Sequence, residues 1–390
     1  MKQTGILRRH AAHERVTSIE LFYDLVSVFA ITQLSGRLVA DWTAKAALQT
    51  GLLFAMVWLL WVYTTWMTNF LDPDQAPVRL ALLLLMLASL AFSSAIPDAF
   101  TTRGLAIGIC YAAMQVGRSV FAAVETRGTD LGRNFQRIGF WCTISGTLAV
   151  LGGLTAGSGR LSLWLAAVAV DLLGGGMGFL TPGLGRSTTG DWVIEGHHFA
   201  ERCQGFLLIA LGESIVAIGA SVSGLEHVGV RSALGVLVAF WGCATLWWLY
   251  FARSADDGAA VIAASSDPGR LGRSAYHYLH PVMVAGIVAV AAGDQLLIAS
   301  PASRHDPQFL WLAIGGAGLF LVGHASFTWV VWRVVPWSRV AACAVLILLG
   351  LLAGPLANLV VGACVLVVLL AVAISDAVLA PERAVETPAP

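Results

Sequence analysis

The sequence predicts an all-α, polytopic integral membrane protein. Hydrophobic residues make up 57% of the 390 residues and charged residues 12%. That leaves too few polar side chains to cover the outside of a soluble fold. Mean hydropathy is +0.78. Apolar stretches of about 20 residues recur to the end of the chain, each able to cross a ~30 Å hydrocarbon core as a helix.

Taken in order, the stretches predict twelve spans. The first six cover residues 19–40, 46–71, 78–97, 103–124, 136–156 and 159–180. The second six cover 200–221, 230–252, 275–298, 308–332, 337–354 and 356–379. The expected organisation is an N-terminal segment 1–18, a six-helix repeat 19–180, a linker 181–199, a second repeat 200–380 and a tail 381–390. The charged start precedes a full-length span, so no cleavable signal peptide is expected. Of the 23 basic residues, sixteen fall on the side of the N-terminus, six on the other, and Arg118 lies inside a span. This asymmetry predicts cytoplasmic termini in a bacterial inner membrane.

The two halves resemble each other. Glu14-Arg15 before span one has a counterpart in Glu201-Arg202 at the start of span seven. "LWVY" (60–63) matches "WWLY" (247–250), and "LAIG" (105–108) matches "LAIG" (312–315). "VGRSVF" (116–121) matches "VGHASF" (322–327), and "AVAVD" ending at Asp171 matches "AVAISD" ending at Asp376. Six spans per repeat is an even number, so both halves insert the same way up. Transporters often use this parallel arrangement.

Ionisable residues inside the spans mark the candidate site. An ionisable group at mid-membrane costs about 2.5–3.5 kcal/mol, so it usually faces the bundle interior with a partner or water. The candidates are Glu20 and Asp24 on span one, Arg118 on span four, Asp171 on span six, Glu201, Arg202 and Glu213 on span seven, His280 on span nine and His324 on span ten. Glu20 and Asp24 are four apart and share a helix face. Asp24, Arg118 and Asp171 come to similar depth, which predicts a carboxylate–guanidinium cluster. Asp98, Asp294 and Asp376 read as interfacial. The alternative is structural: buried ion pairs also fix helix register, and Glu20 also suits a helix N-terminus.

Other chemistry finds little support. His277 and His280 share a face but lack a third metal ligand. His197-His198 with Glu201 reads as a polar helix entrance. The six cysteines lie in apolar segments without a CxxC pair and read as packing residues. No nucleotide-hydrolysing motif is visible. No metal or cofactor is expected. Zero net charge argues against nucleic acid. The expected partners are the bilayer and an unidentified small molecule, ion or lipid, with self-association as a homo-oligomer left open.

With these residues in hand, the chain resembles the bacterial low temperature requirement A family. The resemblance rests on "HERVTSIELFYDLVSVFAITQL" (13–34), "HHFAERCQGFLLIALGESIVAIG" (197–219) and "YHYLHPVMVAGIVAVAAG" (276–293). It implies a polytopic membrane protein linked to growth at low temperature, with Glu14, Arg15, Glu20, Asp24, Glu201, Arg202, Glu213, Tyr278 and His280 carrying the signature. One departure is Tyr23 before Asp24, where the pattern is expected to have Phe. The predicted function is an ion- or proton-coupled secondary transporter. The alternatives are an intramembrane enzyme acting on a lipid or isoprenoid by carboxylic acid/base chemistry, or a non-catalytic membrane stress-adaptation factor.

Overall fold

A computed structural model describes residues 6–8, 16–188, 196–252, 258, 260–261, 264–265 and 267–379. Glu14 and Arg15 of the signature and the tail 381–390 lie outside the described residues. Among those described, the architecture is all-helical. The helices are α1 (Ser18–Ala40), α2 (Ala44–Phe70), α3 (Ala76–Ala95), α4 (Gly104–Glu125), α5 (Asp130–Leu154), α6 (Gly157–Gly176), α7 (Gly196–Ser223) and α8 (Val230–Phe251). α9 runs through Pro268–Gly272, a π-helical turn Arg273–Leu279, and His280–Ala299. α10 runs through Pro307–Leu310, a second π-helical turn Trp311–Gly315, and Gly316–Trp332. α11 (Trp337–Leu352) and α12 (Asn358–Leu379) complete the series.

Helices therefore stand at each expected span, but ten of them are long and apolar enough to cross a bilayer. The other two are α6, which carries Arg160 and Asp171, and α11, whose 16 residues reach only about 24 Å at 1.5 Å per residue.

Local sequence explains where the helices begin. Thr43 accepts a hydrogen bond from Ala46 N–H (3.0 Å) ahead of α2, and Thr129 one from Gly132 N–H (3.1 Å) ahead of α5. Asp267 and Asp306 do the same for α9 and α10, accepting from Arg270 N–H (3.0 Å) and Phe309 N–H (3.1 Å). Each of these two is followed by Pro at the first helical position, where a missing N–H costs nothing. These caps satisfy amide groups that no helical carbonyl can reach.

The chain divides into two compact units. The first comprises residues 1–210 and 258–281. Its central helix is α2, 72% buried along its apolar window and packed on α1, α4 and α6. The second comprises 211–257 and 282–390. There, small residues let α9 and α10 touch backbone to backbone: a Cβ at Gly316 would meet Val290 N at 2.8 Å, and one at Gly323 would meet Met283 N at 2.8 Å. Close approach of this kind is a main source of helix association where water supplies no driving force.

Candidate functional site: a buried ion cluster in the first unit

Equal depth brings α1 and α7 into register. Asp24 lies six residues beyond the start of α1, and Arg202 six beyond the start of α7, about 9 Å along each helix. Arg202 Nη2 sits 2.6 Å from Asp24 Oδ1, and Arg202 Nη1 sits 3.0 Å from Glu20 Oε1. Trp61 Nε1 on α2 donates to the same Asp24 oxygen at 2.7 Å. The Arg202 guanidinium lies 5.7 Å from the Trp61 ring centre, an attractive placement for a cation. Asp24 thus meets Arg202 and Trp61, whereas the sequence had suggested Arg118. The reason is reach: Arg118 is spent on another group of partners, described below.

Glu20 serves two purposes. Its carboxylate accepts from the Thr17 amide (3.0 Å) and the Thr17 hydroxyl (2.9 Å), completing the start of α1. It is also 3.0 Å from His198 Nε2 and 3.4 Å from Arg8 Nη2. Arg8 enters because residues 6–8 lie along the end of α2: Arg8 N–H donates to Phe70 O and Asp72 N–H to Ile6 O, both at 2.9 Å. Its side chain then donates to Thr68 O at 3.1 Å and lies 2.6 Å from His198 Nε2. Asn69 Nδ2 is 3.2 Å from His198 Nδ1. Glu20 and His198 are fully buried, and Asp24 and Arg202 nearly so. Two guanidinium groups face two carboxylates, so the cluster carries no formal net charge. Balance of this kind is what permits burial.

A second group adjoins it. Asp171 Oδ2 on α6 accepts from the Tyr111 hydroxyl (2.5 Å) and from Gln115 Nε2 (2.7 Å), both on α4. The Gln115 carbonyl oxygen accepts from Arg118 Nη2. Gln115 therefore stands between the opposite charges of Asp171 and Arg118, bonding one with each end of its amide. Arg118 Nη1 also donates to Leu60 O (3.4 Å) and contacts Thr64 Oγ1 (3.5 Å), and its guanidinium lies 5.1 Å from the Tyr63 ring centre. Thr64 Oγ1 accepts in turn from the Tyr23 hydroxyl at 3.2 Å. Tyr23 is the signature position where Phe was expected, and its extra hydroxyl joins α1 to the Arg118 group.

The remaining candidates are dispersed. His280 Nε2 lies 2.9 Å from Cys203 O and is buried in the first unit. The Tyr278 hydroxyl donates to Leu172 O at 3.1 Å. Glu201 is exposed and accepts from Val16 N–H at 3.2 Å, outside the cluster. Glu213 and His324 are buried in the second unit, with the His324 ring 6.4 Å from that of Tyr250. Of the three residues read as interfacial, Asp98 is exposed. Asp376 forms a two-pronged pair with Arg339 at 2.6 and 2.5 Å. Asp294 is buried, 8% exposed, inside the second unit and not at an exposed surface.

The sequence reading missed Arg8, Trp61, Asn69, Tyr111 and Gln115 as partners, and gave His198 only the role of a polar helix entrance. Glutamine and arginine one turn apart in "QVGR" were the available signal for Gln115; the others carry none.

The sequence model of the bacterial low temperature requirement A protein matches residues 15–374. The chain belongs to this family. An uncharacterized protein of Rhizobium meliloti (strain 1021), RA0937, is 36% identical over 358 residues, covering 91% of this chain and 87% of the relative. No solved structure matches the chain. In this low temperature requirement A protein, the signature stretches meet inside the first unit. α1 supplies Glu20 and Asp24, α7 supplies His198 and Arg202, and α9 supplies His277 and His280.

Proposed function

We propose that this low temperature requirement A protein is a secondary transporter, coupled to an ion or proton gradient, in the bacterial inner membrane. The proposal includes cytoplasmic termini, twelve spans and two parallel six-helix repeats. The observation that carries it is the Asp24–Arg202 pair and the buried polar network around it. Apolar side chains would close the α1–α2–α7 contact at least as well as these charges do. Intramembrane ionisable groups facing a bundle interior are the usual means of moving protons, ions and charged solutes. Among the described residues, one oxygen of Asp24, Oδ2, has no hydrogen-bond partner, so the carboxylate keeps a lone-pair site for a proton or cation. Displacing Arg202 would expose the second oxygen, and a site that changes occupancy with partner exchange is what coupling needs.

The test is counterflow. Proteoliposomes loaded with unlabelled cytosolic extract are diluted into ¹³C-labelled extract, with and without an imposed pH gradient. Label should enter wild-type vesicles, respond to the gradient, and stay out of vesicles with folded Asp24→Asn protein. Absence of protein-dependent entry under every gradient would overturn the proposal. Protein-dependent conversion of vesicle lipid without solute entry would establish membrane enzymology instead.

A further inference from the structure

Asp294 differs from the other acids of the spans. Arg202 holds Asp24, Arg339 holds Asp376, and Tyr111 and Gln115 both donate to Asp171. Asp294 is buried, its Oδ2 has no hydrogen-bond partner, and no basic side chain pairs with it among the described residues. Its surroundings are packed and apolar. Gly293 brings α9 against α10, where a Cβ would meet Ala313 N at 3.1 Å. One turn on, Leu297 lies against Gly235 of α8 and Gly362 of α12, and Ile298 packs with Ile218 of α7 and Ala239 of α8.

Within the second unit these four helices carry the titratable groups Glu213 on α7, Cys243 and Tyr250 on α8, His324 on α10, and Cys364 and Asp376 on α12. Of these only His324 can be a cation, and it stands eleven residues beyond Ala313, about 16 Å along α10. Arg231, at the start of α8, and Arg304, in the loop between α9 and α10, are exposed. A carboxylate without a partner is costly to bury, and more so at membrane depth. A bound cation or a bound proton would relieve that cost. A metal cation needs several oxygen ligands, and among the described residues no three His, Cys, Asp or Glu side chains stand together to hold one. A proton needs a single oxygen.

We infer that Asp294 is a proton-binding site of the second unit, taking a proton on Oδ2 and exchanging it with water at the end of α9. Asp294 lies five residues before that end, about 7.5 Å along the axis. The residue before it packs on the π-helical turn Trp311–Gly315 of α10, and such turns recur at functional sites. The inference uses none of the residues of the ion cluster and does not need the transport reading. Where that reading holds, it makes the proton the coupling ion.

The test is infrared difference spectroscopy of the full chain in detergent at neutral pH. Asparagine has the shape of a neutral carboxylic acid, so Asp294→Asn should fold. Wild type minus Asp294→Asn should show the C=O stretch of a carboxylic acid and no carboxylate bands, and the C=O band should shift to lower frequency in heavy water. Asp294→Glu should keep an acid band at a displaced frequency, which identifies the site if Asp294→Asn fails to fold. Carboxylate bands from Asp294 would overturn the inference. So would an acid band that ignores heavy water, which marks a sealed structural acid, or one lost on adding sodium chloride at constant pH, which marks a cation site. The readout does not involve solute entry, so failure here and failure of counterflow are separate results.

Discussion

The Arg202 guanidinium on α7 holds the Asp24 carboxylate on α1 at 2.6 Å, across 178 residues of chain. Both groups are 1% exposed, so neither can fall back on water when the other is removed. Arg202→Leu and Asp24→Leu should each cost about 3–5 kcal/mol, the usual penalty for orphaning a buried charge. The double variant should be more stable than the sum of the two losses predicts. Thermal unfolding in detergent, read as a double-mutant cycle, measures this. Simple additivity would mean the two residues do not depend on each other.

Arg8 reaches Thr68, His198 and Glu20 with one guanidinium. Arg8→Ala should lower stability by about 1–3 kcal/mol, the range for leaving buried partners unsatisfied. Arg8→Lys should not restore it, because a single ammonium cannot reproduce the fork. Hydrogen exchange should quicken at the start of α1 in both variants. Full recovery with lysine would reduce Arg8 to a point charge.

Gln115 separates Asp171 from Arg118. Gln115→Leu deprives both of a hydrogen bond and should destabilise by about 1–3 kcal/mol. Tyr111→Phe removes the other donor to Asp171 and should cost a similar amount. The two changes share one carboxylate, so their combined effect should depart from additivity, again by melting in detergent. A neutral Gln115→Leu would show that the amide does not hold the pair.

Reporter fusions read the orientation of the chain directly. Fusions after residues 128 and 190 should report the cytoplasm, and those after 100 and 226 the periplasm. The reverse pattern would invert the whole orientation.

Much of this architecture is legible in the sequence because lipid imposes a simple code. Long apolar runs must become helices, and the charges they carry must turn inward, which singled out Glu20, Asp24, Arg118, Asp171 and Arg202. Partners were harder. Arg8 sits in a charged N-terminal stretch that reads like a solvated tail, and its burial depends on a short backbone pairing with the end of α2. Trp61 resembles an interfacial tryptophan by composition, yet its indole N–H faces Asp24. Periodicity assigns a residue to a face, but not the neighbour that face meets. The π-helical turns of α9 and α10 have no compositional mark at all.

The ion cluster also sets a sequence of events during synthesis. Glu20 and Asp24 leave the ribosome in the first membrane segment, whereas Arg202 follows 178 residues later. At roughly 5–20 residues per second, that interval is about ten to forty seconds. For that time the nascent α1 holds Asp24 without Arg202, and Glu20 with only Arg8 of its two guanidinium partners. Early chains must therefore keep them protonated, hydrated within the insertion machinery, or shielded by Arg8. Closure of the α1–α7 pair can therefore come only after α7 has been made.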